Sequence, residues 1–126
     1  MKYFVEYNNN PKHKKTGDCV VRALSQFMHA DWKLTYQDLC NIGLNKGVMP
    51  NNPDAYKTYL AKVGIEMQKQ PKNSLGKRMT LKEFLEQHPK GEYLLHVRKH
   101  LTYCRDGICY DTWDCTDYCV GNYWKI

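Results

Sequence analysis

The stretch His100-Leu101-Thr102-Tyr103-Cys104-Arg105-Asp106-Gly107-Ile108-Cys109-Tyr110-Asp111-Thr112-Trp113 decides how the C-terminal part of the chain folds. Asp-Gly between two β-type runs is a strong signal for a two-residue hairpin, because both central residues of a type I′ turn need positive φ. Counting outward from the turn pairs Arg105 with Ile108, Cys104 with Cys109 and Tyr103 with Tyr110. Successive side chains point to opposite faces, so His100, Thr102, Cys104, Cys109, Asp111 and Trp113 share one face. On it His100 and Asp111 are diagonal neighbours with backbones about 7–8 Å apart, within reach of an imidazole–carboxylate hydrogen bond. Asp114 falls on the opposite face. The same register sets Cys104 across from Cys109, close enough for a cross-strand disulfide.

Working outward, Glu92–Arg98 reads as a strand before the hairpin and Tyr118–Trp124 as one after it. Upstream the pattern is helical. Val20, Val21, Leu24, Phe27 and Met28 recur at helical spacing behind Asp18-Cys19, with Thr16 or Asp18 as the cap. A second helix is expected after Thr35, with Leu39, Ile42 and Cys40 inward and Asn45-Lys46-Gly47 as its end. A third opens at Asn52-Pro53-Asp54, turns Tyr56, Tyr59, Leu60 and Val63 inward, and stops at Gly64. A fourth opens at the capping box Thr80-Leu81-Lys82-Glu83, with Leu81, Phe84 and Leu85 inward. Residues 3–7 are a short strand or extended arm, Ile65–Lys69 a short strand and Pro71–Arg78 a basic loop. Helices first and an antiparallel sheet last define an α+β class. Residues 1–126 read as one domain.

Composition narrows the function. The chain is 42% hydrophobic, enough for a core, and has no apolar run long enough for a membrane span. The start, Met1 to Tyr7, lacks the apolar stretch of a secretory signal, so a cytosolic protein with reduced cysteines is expected. The net charge of +6 gathers in Lys12–Lys15 and Lys69–Lys82. No nucleic-acid motif accompanies it, so a solvated basic surface is the preferred reading over nucleic-acid binding. Cys104, Cys109, Cys115 and Cys119 lack the paired C-x2-C spacing of structural zinc sites, and no metal or cofactor is expected.

What remains is a Cys…His…Asp order. Cys19 falls in the first turn of a helix, where unpaired N–H groups favour a thiolate. Of His13, His29, His88, His96 and His100, only His100 comes with an acid on its own strand face. The candidate set is Cys19 as nucleophile, His100 as base and Asp111 as orienting acid.

These residues carry a resemblance. Asn10-Pro11-Lys12, Thr16-Gly17-Asp18-Cys19-Val20-Val21-Arg22-Ala23-Leu24, His100-Leu101-Thr102, Asp106 to Asp114 and Gly121-Asn122-Tyr123-Trp124 resemble small papain-like cysteine-peptidase-fold proteins of phages and bacteria. The resemblance implies helices packed on a C-terminal sheet, a nucleophile at a helix N-terminus, and Cys19, His100 and Asp111 as the triad. It implies a host cytoplasm if the chain is phage-encoded. The family's Gln upstream of the Cys is missing; Asn10 is the candidate for that oxyanion role, with the Cys19 N–H as second donor. Three functions follow as expectations: a peptidase, amidase or isopeptidase acting on a protein or peptide; a transglutaminase-like acyl transferase; and a non-catalytic module that blocks a host protein. Tyr118, Tyr123 and Trp124, read as an exposed aromatic tail, favour the last.

Overall fold

The computed structural model describes residues 2–126. Its elements are β1 (Phe4–Glu6), α1 (Cys19–Phe27), α2 (Trp32–Lys46), α3 (Pro53–Lys62), α4 (Leu81–Gln87), β2 (Glu92–Val97), β3 (His100–Arg105), β4 (Ile108–Asp111) and β5 (Val120–Lys125). The hairpin forms as counted: Asp106 and Gly107 have φ of 49° and 81°, and Tyr103, Cys104 and Arg105 pair with Tyr110, Cys109 and Ile108.

The sheet runs β1-β4-β3-β2-β5. It is mixed rather than wholly antiparallel, because β1 joins β4 in parallel, with Phe4 beside Cys109. The backbone bonds Cys109 N to Tyr3 O and Tyr7 N to Asp111 O, both 2.8 Å, extend that ladder. The outer edge of the hairpin would otherwise present unpaired backbone groups. The fold is α+β, with four helices and five strands.

Alternation along the strands divides the core. Leu94, Leu101, Tyr103 and Trp124 pack with Val20, Val21, Leu24 and Phe27 of α1 and with Leu39 and Leu60 of α2 and α3. The other face places Leu95, Val97, Cys104, Cys109 and Val120 with Leu81, Phe84 and Leu85 of α4 and with Cys115. The helices therefore cover both faces rather than one.

Several boundaries differ from the sequence reading. Helix α2 begins at Trp32 because Asp31, extended at φ −68° and ψ 139°, is its N-cap; Thr35 lies in the first turn and donates its hydroxyl back to Asp31 O. Val63 caps α3 and is exposed rather than inward. In 65–69 only Gln68 bridges to a strand, at Tyr123. Strand β4 stops at Asp111, short of Trp113, and β5 starts at Val120, so Tyr118 precedes it. Trp124 is 2% exposed, edge-on to Tyr56 at 5.8 Å between ring centroids. Of the expected exposed tail, Trp124 is core, Tyr123 is half-buried and Tyr118 stays exposed, so the aromatic surface is smaller than expected. No helix among the described residues is long and apolar enough to cross a membrane.

Candidate active site

Cys19 is the first residue of α1, after Gly17 in a left-handed conformation (φ 66°) and Asp18 as N-cap. Asp18 does not cap in the usual way, since its carboxylate makes no bond to the first-turn N–H groups. It turns instead to Arg22 Nε (2.8 Å), Asn10 Nδ2 (3.0 Å) and Trp32 Nε1 (3.0 Å). The N–H groups of the first turn, of which Cys19 is the first residue, therefore lose their ordinary side-chain acceptor.

The hairpin supplies the rest. His100 Nε2 lies 2.6 Å from Asp111 Oδ2. Thr102, between them on the same face, donates its hydroxyl to the same oxygen at 2.6 Å. The other oxygen, Oδ1, accepts from the Thr112 N–H at 2.7 Å and from Arg22 Nη1 at 2.9 Å. Four donors hold one carboxylate that is 1% exposed. Trp113, though beyond the strand, packs on the His100 ring at 4.9 Å between centroids.

Arg22 was missed as a site residue. It is 7% exposed and ties the N-cap of α1 to the acid on β4. Its signal in the sequence is a cation inside an apolar stripe, between Val21 and Ala23, one turn after Asp18. A buried guanidinium needs anionic partners, and this one has two.

The electrostatics follow from these contacts. Burial works against ionisation of Asp18 and Asp111, but their hydrogen bonds and the Arg22 charge hold both carboxyls below the usual range. Burial also opposes the imidazolium of His100; Asp111 and Cys19 outweigh it and raise the ring to about 10. Burial opposes the Cys19 thiolate too, yet polar contact with His100, the Leu101 backbone and the charges of His100 and Arg22 bring the thiol below its ordinary value. The two shifts run in opposite directions, the imidazole up and the thiol down, so the pairing favours a proton on His100 over one on Cys19. With Nε2 held by Asp111, Nδ1 is the nitrogen left to exchange a proton with sulfur.

The other candidates sit elsewhere. Asn10 is buried, but its amide donates to Asp18 and its carbonyl accepts from the N–H groups of Lys12 and Lys14. That role pins the loop ahead of Cys19 and engages the amide that was expected at the oxyanion. His29 also finds a carboxylate, Glu92 at 2.7 Å, but just beyond the end of α1 opposite Cys19. His88 bonds Phe84 O, and His13 lies in the exposed loop.

All six cysteines are free thiols. Cys104, Cys109 and Cys115 form a buried cluster behind Asp111, with Cys109 and Cys115 sulfurs 3.9 Å apart and Cys109 3.3 Å from Thr102 Oγ1. Contact with Cys109 and burial push the Cys115 thiol well up, so it stays protonated. His100, Asp111 and Cys115 each bring one potential ligand atom within 4.8 Å of the others. His100 and Asp111 share a direct hydrogen bond there, and the Cys115 sulfur bonds instead to Cys109.

No family model matches the chain, and comparison with curated proteins and with solved structures finds no match.

Proposed function

We propose that the protein is a cysteine-dependent hydrolase that cleaves an amide or peptide bond through an acyl-enzyme. The observation that carries this reading is the 2.6 Å hydrogen bond from His100 to Asp111, with Cys19 at the head of α1 near enough to the ring that each shifts the other's ionisation, the thiol down and the imidazole up to about 10. The Cys19 thiolate attacks the carbonyl carbon, and the Cys19 N–H receives the developing oxyanion. The tetrahedral intermediate collapses as the C–N bond breaks, and His100 gives its proton to the leaving amine. His100 then takes a proton from water, which attacks the thioester and restores the thiolate–imidazolium pair. Asp111 orients the ring, and Arg22 and Thr102 orient Asp111. The same steps with an amine in place of water give an acyl transferase.

A second reading, a binding module without turnover, draws support from Asn10, whose commitment to Asp18 leaves no side-chain donor assigned to the oxyanion. Alkylation by iodoacetamide at pH 6, read by mass spectrometry, tests the first reading. Cys19 should label far faster than Cys40, and His100→Ala should slow it by about a hundredfold as the thiol returns to its unperturbed range. Equal rates at Cys19 and Cys40 would refute the nucleophile. Brisk labelling combined with binding that survives Cys19→Ala, and no turnover, would select the second reading.

A further inference from the structure

A cleft of about 280 Å³ opens beside His100 and Val20, the residue that follows Cys19. Val20, Tyr56, His96, Lys99 and His100 are among the residues lining it. Its size suits one side chain rather than a whole ligand of drug size. Its ionisable lining is tyrosine, histidine and lysine, with no carboxylate. A larger cavity, of about 580 Å³, lies between Trp32, Tyr7 and Tyr110; it touches none of Cys19, His100 and Asp111 and offers both Asp31 and Arg105, so it favours neither sign of charge.

His96 is held in the smaller cleft by a local device. The β2–β5 pairing shifts register between Leu95 and Val97, and Gly121 leaves space for the ring: a Cβ there would come within 3.1 Å of His96 Nδ1. The imidazole hydrogen bonds of the described residues are made by His29, His88 and His100. The His96 nitrogens have no protein partner among the described residues, although β-bulges commonly re-aim a side chain toward a site. Lys99 is exposed in the tight turn joining β2 to β3, where Arg98 takes a φ of 59° and stacks its guanidinium over Tyr118, leaving Lys99 to the cleft.

We infer that this cleft is a substrate subsite for a carboxylate: the residue of the peptide or protein substrate that lies beside Cys19 is acidic, and His96 and Lys99 receive its charge. The inference rests on the reading of Cys19 as the nucleophile. Burial and the neighbouring cations Lys57 and His100 hold His96 below the ordinary imidazole range, so an anion there relieves a crowding of positive charge. The source of the carboxylate is a glutamate or aspartate side chain or the end of a chain.

Paired alkylating agents test it, since iodoacetate and iodoacetamide differ chiefly in charge. At pH 7 the iodoacetate-to-iodoacetamide rate ratio at Cys19 should exceed the ratio at Cys40 of the same chain by about tenfold. Lys99→Gln should erase most of that excess, and the double variant Lys99→Gln/His96→Gln all of it, while leaving the iodoacetamide rate within about twofold; Lys99, being exposed, can be changed without loss of the fold. A Cys19 ratio equal to that of Cys40, or an excess that survives both substitutions, overturns the subsite with the nucleophile intact. Failure of Cys19 to outpace Cys40 with either reagent overturns the nucleophile and this inference with it. N-acetylglutamate α-methylamide should protect Cys19 from iodoacetamide through its side-chain carboxylate. Protection by N-acetylalanine alone assigns the carboxylate to a chain end, and protection by neither overturns the subsite.

Discussion

Replacing Arg22 with methionine keeps the apolar stem and removes the guanidinium. Arg22 contacts Asp18 at 2.8 Å and Asp111 at 2.9 Å, with side chains 8%, 7% and 2% exposed. Breaking a buried pair from one side leaves an uncompensated charge, at a cost of about 3–5 kcal/mol. Here two carboxylates lose their cation, so the loss should lie toward the upper end, eased because Asp18 keeps Asn10 and Trp32 and Asp111 keeps His100 and Thr102. The pH dependence fixes the cause. Both carboxyls are lowered in the folded protein, so their contribution is present above the unfolded carboxyl range and is lost as pH falls through the folded values. The gap between wild type and Arg22→Met, from urea denaturation, should be widest at pH 7 and shrink as the solution is acidified below about pH 4. A gap under about 1 kcal/mol at pH 7, or one unchanged by acid, would refute the reasoning.

The thiol–imidazole pair makes its own prediction. His100, raised to about 10, contributes stability that is full below its unfolded value and is lost as pH rises through the folded one; Cys19, lowered, contributes stability that is full above its unfolded value and is lost as pH falls through the folded one. As pH rises toward the alkaline range the two contributions change in opposite directions, so the pair's own effect on Tm should be shallow, whereas Cys19→Ser, which removes the opposing thiol contribution, should make Tm fall more steeply with rising pH. A wild-type slope as steep as the variant's would count against the ion pair. Thr102→Val removes the 2.6 Å donor to Asp111 with little change in shape and should cost about 1.5–3 kcal/mol by urea denaturation; a loss within experimental error would mean that bond carries nothing.

Much of the site was legible because local rules fixed it. The Asp106-Gly107 turn sets the register, the register sets the faces, and the faces bring His100, Thr102 and Asp111 together within twelve residues. Asn52 and Thr80 cap α3 and α4 for equally local reasons, with side-chain oxygens near first-turn N–H groups. What escaped was non-local. The parallel pairing of β1 with β4 and the reach of Arg22 across 89 positions to Asp111 leave no periodic trace. Trp124 read as surface because a terminal aromatic carries no sign of which face it occupies until β5 is placed against β2. Asp18 shows the limit of capping rules: the residue type was right for an N-cap, but a competing cation four positions later drew its carboxylate away.

The β1 ladder ties the beginning of the chain to the acid itself, since the Tyr7 N–H binds the Asp111 carbonyl while Arg22 grips the carboxylate of the same residue. Residues 8–18 are thus a leash with both ends fastened at a single point on β4. Trimming the first residues would remove the ladder that holds the Asp111 backbone together with Tyr3 and Phe4, which pack on the α4-side core, so the support of the acid and that core are lost in one step. The geometry around Asp111 is therefore as sensitive to what is added to, or clipped from, the leading end as to any change in the hairpin itself.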